Sequence, residues 1–182
     1  MLGKDLLVVP VHTDAAKQTV DFPAGKWTNL WTNQPLAGSA AQTISADTIP
    51  VFLREGAILP VRLAPSLQWG ESLSGGSVNV VIVTPPKEES EMICFESEKK
   101  VATLSLKPAG KGFTVTIDNR PSHYLIIYGM SKISQLKANG TALAQLSGKE
   151  RETLPPGWYR DGSGRIIVRL PYGHQQTVEV EW

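Results

Sequence analysis

Phe113-Thr114-Val115-Thr116-Ile117-Asp118 places an apolar side chain at every second position, and Thr177-Val178-Glu179-Val180-Glu181-Trp182 repeats the pattern. A period of two puts one chemistry on each side of an extended chain, so both stretches predict half-buried antiparallel strands. Residues 124–128 and 165–170 carry the same reading. Upstream, shorter β-branched or alternating runs occupy residues 6–11, 19–22, 42–45, 49–53 and 78–84. No window of about eleven residues keeps apolar side chains at i, i+3, i+4 and i+7 without an intervening Gly or Pro, so almost no helix is expected.

The punctuation between these runs agrees with them. Asn139-Gly140 suits a type I′ hairpin, which needs positive φ at both central residues, and Asp161-Gly162-Ser163-Gly164 allows another tight reversal. The apolar pattern lapses between Pro65 and Gly76, where Gly70, Gly75 and Gly76 cluster. That lapse predicts a division near residue 72. A sheet with one apolar face must bury it, and where helices are lacking the cover has to be a second sheet. The expected fold is therefore all-β, with two small antiparallel β-sandwiches in tandem over residues 1–71 and 72–182. A single larger sandwich is the competing architecture.

Composition excludes several classes of function. In 182 residues, 41% are apolar and 19% charged, which is enough apolar material for a core and too little charge for a disordered tail. Eighteen Lys and Arg against 17 Asp and Glu leave a net charge of +1, with no basic stripe, so nucleic acid is not expected as a partner. No apolar run approaches the roughly 20 residues that a helical membrane span requires, and a membrane partner is not expected either. The first residues show no export signal, and the single cysteine, Cys94, says nothing of compartment.

The chemistry-bearing residues are sparse. His12, His123 and His174 lie far apart and no paired-ligand spacing joins them to Cys94, so neither metal nor cofactor is expected. Gly148-Lys149 lacks the upstream glycine and following hydroxyl of a phosphate loop, and Gly162-Ser163-Gly164 lacks the spacing of a nucleophile elbow. Acidic residues concentrate in charged stretches such as 87–91 and 96–100, which read as solvated loops, and no catalytic carboxylate pair stands out. Aromatic rings are the remaining lead, because sugar rings stack on exposed Trp and Tyr. Trp31, Trp158 and Tyr172 are the candidate sugar contacts, with core packing as the alternative for each. Asn139-Gly140-Thr141 also fits a glycosylation acceptor, but the hairpin reading takes precedence.

Three phrases in order carry a family resemblance: Met1-Leu2-Gly3-Lys4-Asp5-Leu6-Leu7-Val8-Val9-Pro10-Val11, then Phe22-Pro23-Ala24-Gly25-Lys26-Trp27, then Ile49-Pro50-Val51-Phe52-Leu53-Arg54-Glu55-Gly56-Ala57-Ile58-Leu59-Pro60. Together they resemble the C-terminal region of glycoside hydrolase family 31, which includes α-glucosidases and α-xylosidases. The resemblance covers about the first 60 residues; Lys4 and Val9 depart from the family's usual residues, as does Phe95-Glu96-Ser97-Glu98. It implies that residues 1–11 leave a (β/α)8 catalytic barrel and that a proximal and a distal β-sandwich follow. The family's nucleophile and acid/base belong to barrel motifs that this chain does not contain, so no catalytic residue transfers. The implied role is non-catalytic support of the barrel, the implied partner. A carbohydrate-binding module and an oligomerisation domain are the alternatives. Residues 6–11, apolar almost throughout, then read as a strand covered on both faces, exposed and prone to self-association when the barrel is absent.

Overall fold

A computed structural model describes the chain except residues 12–16, 39–40, 46, 97, 148–154 and 172, and the side chains of Gln42 and Glu96. His12, Tyr172 and Gly148-Lys149 therefore lie outside the described residues. The described residues are all-β as expected, and their only helical element is a short 3-10 turn, Leu73–Gly75.

Four sheets stack in layers. In the central sheet, Ile58–Leu63 (β7), Val78–Val83 (β8), Tyr124–Ile127 (β12), Ile166–Arg169 (β17), Gly157–Arg160 (β16) and Ala144–Gln145 (β15) lie side by side in that order. The outer sheet runs Ser90–Glu96 (β9), Lys99–Ala109 (β10), Gly112–Asp118 (β11), Gln175–Glu181 (β18), Gln135–Ala138 (β13) and Thr141–Ala142 (β14). The proximal sheet runs Leu6–Val8 (β1), Val51–Arg54 (β6), Gly25–Asn29 (β3) and Pro35–Gly38 (β4), and Lys17–Asp21 (β2) pairs with Ala41–Ser45 (β5) in a two-stranded ribbon.

Side-chain alternation builds the cores between these layers. On one face of the central sheet Val81, Val83, Leu125, Ile127, Ile166 and Val168 meet Leu104, Leu106, Phe113, Val115, Val178 and Val180 of the outer sheet. On the other face Val80, Ile82, Ile126, Tyr128 and Ile167 meet Leu30, Leu53 and Ala57 of the proximal region. Phe52, next to Leu53 on β6, points the opposite way and packs with Val20, Phe22, Trp27 and Ile44 beneath the ribbon. The layer order is thus ribbon, proximal, central, outer.

This stacking corrects two expectations about individual strands. Residues 124–128 and 165–170 are not half-buried, because layers cover both faces of the central sheet and leave Leu125, Ile126, Ile127, Ile166, Ile167 and Val168 at 1% exposure or less. Nor is the central sheet purely antiparallel, since β12 pairs with β8 in parallel register, Tyr124 opposite Val80, and β15 pairs with β16 in parallel. Residues 6–11, expected to lose the cover of one face where the barrel is absent, form a strand only in part. Only Leu6–Val8 is a strand, it lies at the edge of the proximal sheet, and Val8 and Val11 are exposed.

The charged stretches are solvated loops only in part: Lys87, Glu88 and Glu89 form an exposed loop as expected, and the rest lies largely on strands. Glu91 lies on β9, and Lys99 and Lys100 on β10, with polar side chains outward and Met92 and Cys94 turned to the core. Finally, the connection at residue 72 joins two paired strands: β7 and β8 are antiparallel from Ile58–Val83 to Leu63–Val78. Residues 58–63 thus share a sheet with the C-terminal part, although they precede the lapse in the pattern. Pro60 and Pro108 are accommodated where the ladder has one open side. Pro60 is on edge strand β7, and Pro108 lies beyond the last residue of β10 paired to β9.

Candidate functional site

The proximal sheet meets the central and outer sheets along a groove built on glycines. Gly25 (φ +127°), Gly56 (φ +75°) and Gly129 (φ +71°) all adopt backbone conformations that disfavour a side chain. At Gly129 the need is also steric, because a Cβ would stand 2.8 Å from Thr28 Oγ1. The Gly129 amide donates to Asn33 Oδ1 at 2.8 Å, and Asn33 itself has φ +59° and is buried, so the turn after β3 is fastened to the end of β12.

The groove has two connected parts that share Gly25, Glu55 and Lys87. One, of about 520 Å³, is polar and is walled by Lys4, Asp5, Arg54 and residues 87–90. The other, of about 810 Å³, is walled by Pro85, Pro86, Met130 and Trp182, with the Lys26–Glu55 ion pair (3.4 Å) on its rim. Asp5 is buried at 7% exposure, and burial pushes its carboxyl above the ordinary 3.8 against the opposing pull of the Ile58 amide, Lys4 and Arg54. The Ile58 N–H points to its Oδ2 at 3.4 Å. Lys4 Nζ donates to the backbone carbonyl of Glu91, on the otherwise open edge of β9, at 3.1 Å.

A second polar cluster lies under this junction. Arg165, 5% exposed, donates through Nε to Asp161 Oδ2 at 2.6 Å and through Nη1 to Tyr128 OH at 3.2 Å, and Trp69 Nε1 donates to the same hydroxyl at 3.0 Å. Burial opposes the guanidinium charge, but Tyr128 and Asp161 outweigh it and hold the Arg165 pKa above its ordinary value. This is an anchor: its donors and acceptors satisfy one another.

The candidate sugar contacts fall apart spatially. Trp31, 41% exposed, sits in the turn after β3, with Nε1 donating to Ile49 O at 2.8 Å. Trp158 is half-buried against the core on the far side of the central sheet, so the two rings share no platform. Trp27 is fully buried, its Nε1 donating to Pro23 O at 2.8 Å. The exposed ring that does line a groove is Trp182, at 48%, tilted against Phe113 with centroids 6.1 Å apart. Its position at the end of an alternating strand hides it from a motif search. Among the described residues no three His, Cys, Asp or Glu converge as metal ligands.

With this geometry in place, similarity to known proteins is informative. Residues 1–59 match the family model described as glycosyl hydrolase family 31 C-terminal domain. An α-glucosidase of Saccharolobus solfataricus is 31% identical over 114 residues, covering 61% of this chain and 16% of that protein. Alpha-glucosidase 2 of Bacillus thermoamyloliquefaciens is 34% identical over 62 residues, covering 32% of this chain and 8% of that one. The chain therefore spans less than a fifth of the length of these relatives. Among solved structures, a cycloalternan-forming enzyme from Listeria monocytogenes superposes with TM-score 0.84 at 19% identity, over 100% of this chain and 18% of that one. A family 31 dextranase from Flavobacterium johnsoniae gives TM-score 0.75 at 18% identity, over 100% of this chain and 26% of that one. At these identities the superpositions establish the fold, and with the sequence matches they make this chain similar to the C-terminal region of glycosyl hydrolase family 31 enzymes.

Proposed function

We propose that the chain is a non-catalytic β module that docks against and supports the catalytic (β/α)8 domain of an α-glucosidase-type enzyme. The observation that carries this reading is the exposed apolar surface along edge strand β1. Within the segment that matches the family model, Leu2 (66% exposed), Val8 (38%) and Val11 (39%) expose apolar side chains, while Leu6, Leu7 and Val9 anchor the same segment to the cores beneath. Apolar side chains exposed along an edge strand are costly to leave in water and suit a neighbouring domain. Catalysis would then belong to the partner, whose two carboxylates would act across the glycosidic bond.

The test has two arms. The chain alone is expected to show no turnover of aryl α-glucosides or α-xylosides, and to bind the catalytic domain of its own enzyme when the two are expressed separately. A Leu2→Asp/Val8→Asp double variant should bind at least tenfold more weakly with its melting temperature nearly unchanged. Unaltered binding, or turnover that a substitution in this chain abolishes, overturns the reading.

Carbohydrate binding is a second reading, favoured by Trp182, whose exposed ring faces the groove beside Pro85 and Pro86. Saturable quenching of tryptophan fluorescence by a gluco-oligosaccharide, lost in Trp182→Ala, would support it.

A further inference from the structure

The Asn139-Gly140 turn joins Ala138 of β13 to Thr141 of β14 at one edge of the outer sheet, and both of its residues are exposed. An asparagine amide can be attacked by the backbone nitrogen of the next residue, provided that this nitrogen is free, that the Cγ carbonyl is electron-poor and that the departing Nδ2 is not held. All three conditions meet at Asn139. Among the described residues the Gly140 N–H has no hydrogen-bond partner, and a Cβ at Gly140 would meet nothing within 4 Å, so the nitrogen can swing without a clash. Asn139 Oδ1 accepts from Thr177 N–H at 2.8 Å, which draws charge from Cγ and stabilises the negative charge that attack places on the oxygen. Asn139 Nδ2 donates to no described residue.

The other asparagines, Asn29, Asn33, Asn79 and Asn119, each fail at least one condition. The nitrogen that follows Asn29 is that of Leu30, which donates to Val51 O at 2.9 Å, and the one that follows Asn119 is that of Arg120, which donates to His174 O at 3.2 Å. Val80, which follows Asn79, lies inside a strand paired on both sides. Asn79 Nδ2 is held by Pro121 O at 3.0 Å and Asn119 Nδ2 by Val101 O at 2.7 Å. Asn33 is buried, and the Gln34 N–H after it points to Thr32 Oγ1 at 3.4 Å.

We propose that Asn139 is a self-modifying site, whose side-chain amide is lost without any enzyme to give aspartate and isoaspartate. Hydroxide takes the Gly140 N–H proton, the nitrogen bonds to Asn139 Cγ, and the carbonyl π pair moves to Oδ1. As that pair returns, the Cγ–Nδ2 bond breaks, Nδ2 takes up protons from water and leaves as ammonia, and a five-membered succinimide remains. Water then opens the ring. Breaking the bond from nitrogen to Cγ leaves aspartate; breaking the bond from nitrogen to the main-chain carbonyl carbon leaves isoaspartate, whose backbone runs through Cβ and Cγ. Either way one amide and one water become a carboxylate and ammonium, with no oxidant or reductant, and the added carboxylate takes the chain's net charge from +1 to zero. Aspartate still accepts from Thr177 N–H and keeps the hairpin. Isoaspartate puts an extra carbon in the backbone between Ala138 and Thr141 and unpairs them. The site lies apart from β1 and stands or falls independently of the docking function.

The experiment incubates the folded 182-residue chain at mildly acid and mildly alkaline pH and follows each asparagine by peptide mass spectrometry, with ammonia release measured in parallel. Loss of the amide reads as a mass gain of about 1 Da. Asn139 should convert roughly tenfold or more faster than any of the other four, and faster at alkaline pH, where hydroxide is more abundant. Part of the product should accept a methyl group from an isoaspartyl methyltransferase. Asn139→Asp should release no ammonia at this position and keep its melting temperature. Gly140→Ala, whose Cβ crowds the attacking nitrogen, should slow conversion by roughly tenfold. The same incubation in urea separates fold from sequence and decides the matter if that variant does not fold. An Asn139 that reacts in the unfolded chain but stays intact in the folded one would show that the hairpin shields it and would overturn the proposal. Conversion no faster than that of Asn29 or Asn119, or equal in wild type and a folded Gly140→Ala, would do the same.

Discussion

At Trp27 the backbone requirement of one residue and the packing of another coincide. Gly25 takes φ +127°, which turns the chain after Pro23 so that the Trp27 indole enters the core beneath the ribbon, 6.2 Å from the Phe22 ring and under the Arg54 guanidinium at 6.0 Å. Its N–H is satisfied by Pro23 O, so the whole ring contributes as buried apolar surface. Trp27→Ala should lower stability by about 3–5 kcal/mol in urea denaturation, the usual cost of deleting a fully buried large aromatic; a change below about 1 kcal/mol would contradict this packing. Asp5 gives a residue-level prediction of the opposite kind. Burial raises its pKa above 3.8, so the native state holds a proton that the unfolded chain has already released. Its contribution to stability therefore falls as pH rises from 3.8 through the raised folded value, and is level above it. Asp5→Asn removes that titration and can still accept from Ile58 N–H. Relative to wild type it should gain stability across that interval, and equal pH profiles for the two proteins would rule the effect out.

Elements divide by how much of their character is local. The Asn139-Gly140 hairpin was legible because the turn needs only its own residues. Asn139 (φ +50°) and Gly140 (φ +78°) both adopt positive φ between paired Ala138 and Thr141, and Asn139 Oδ1 accepts from Thr177 N–H at 2.8 Å. The outer strands were legible for a related reason: one face meets solvent, so period two survives in β11 and β18. What lies on both sides of β8, β12 and β17 is set by distant segments, and their near-continuous apolar runs resemble a half-buried strand until the second covering layer is known. Close approach between backbones is equally silent in the sequence. At Gly112, at the start of β11, a Cβ would stand 1.8 Å from Val180 O, so only glycine permits the β11–β18 ladder to begin there. Gly112→Ala should cost roughly 1–3 kcal/mol through forced backbone displacement. Amide exchange should accelerate first at residues 178–181; uniform acceleration across the outer sheet would show that the effect is not local.

For the whole molecule, the central sheet decides how the parts depend on one another. The pattern lapse near residue 72 reads as a division between two cores, and the candidate aromatics Trp31 and Trp158 lie one on each side of it. The groove instead lies where segments distant in sequence converge, which no local spacing reports. The proximal sheet supplies the cover for Val80, Ile82, Ile126, Tyr128 and Ile167, and β7 supplies an edge partner for β8. Polar clamps cross the same junction, from Gly129 N–H to Asn33 Oδ1 and from Trp69 Nε1 to the Tyr128 hydroxyl. Removing residues 1–71 would strip one face from a sheet built to be covered on both, and would expose five large apolar side chains together. Separate folding units would each keep their own core, whereas here one core is shared. The chain should therefore unfold in urea as one cooperative transition, with tryptophan fluorescence, far-UV circular dichroism and exchange of the β8 and β12 amides all giving the same midpoint. A fragment of residues 72–182 should bind a hydrophobic dye strongly and lack a sharp transition. Two separated midpoints in the full chain, or a well-folded monomeric fragment 72–182, would show that the sandwiches are independent and that the shared core contributes little to holding them.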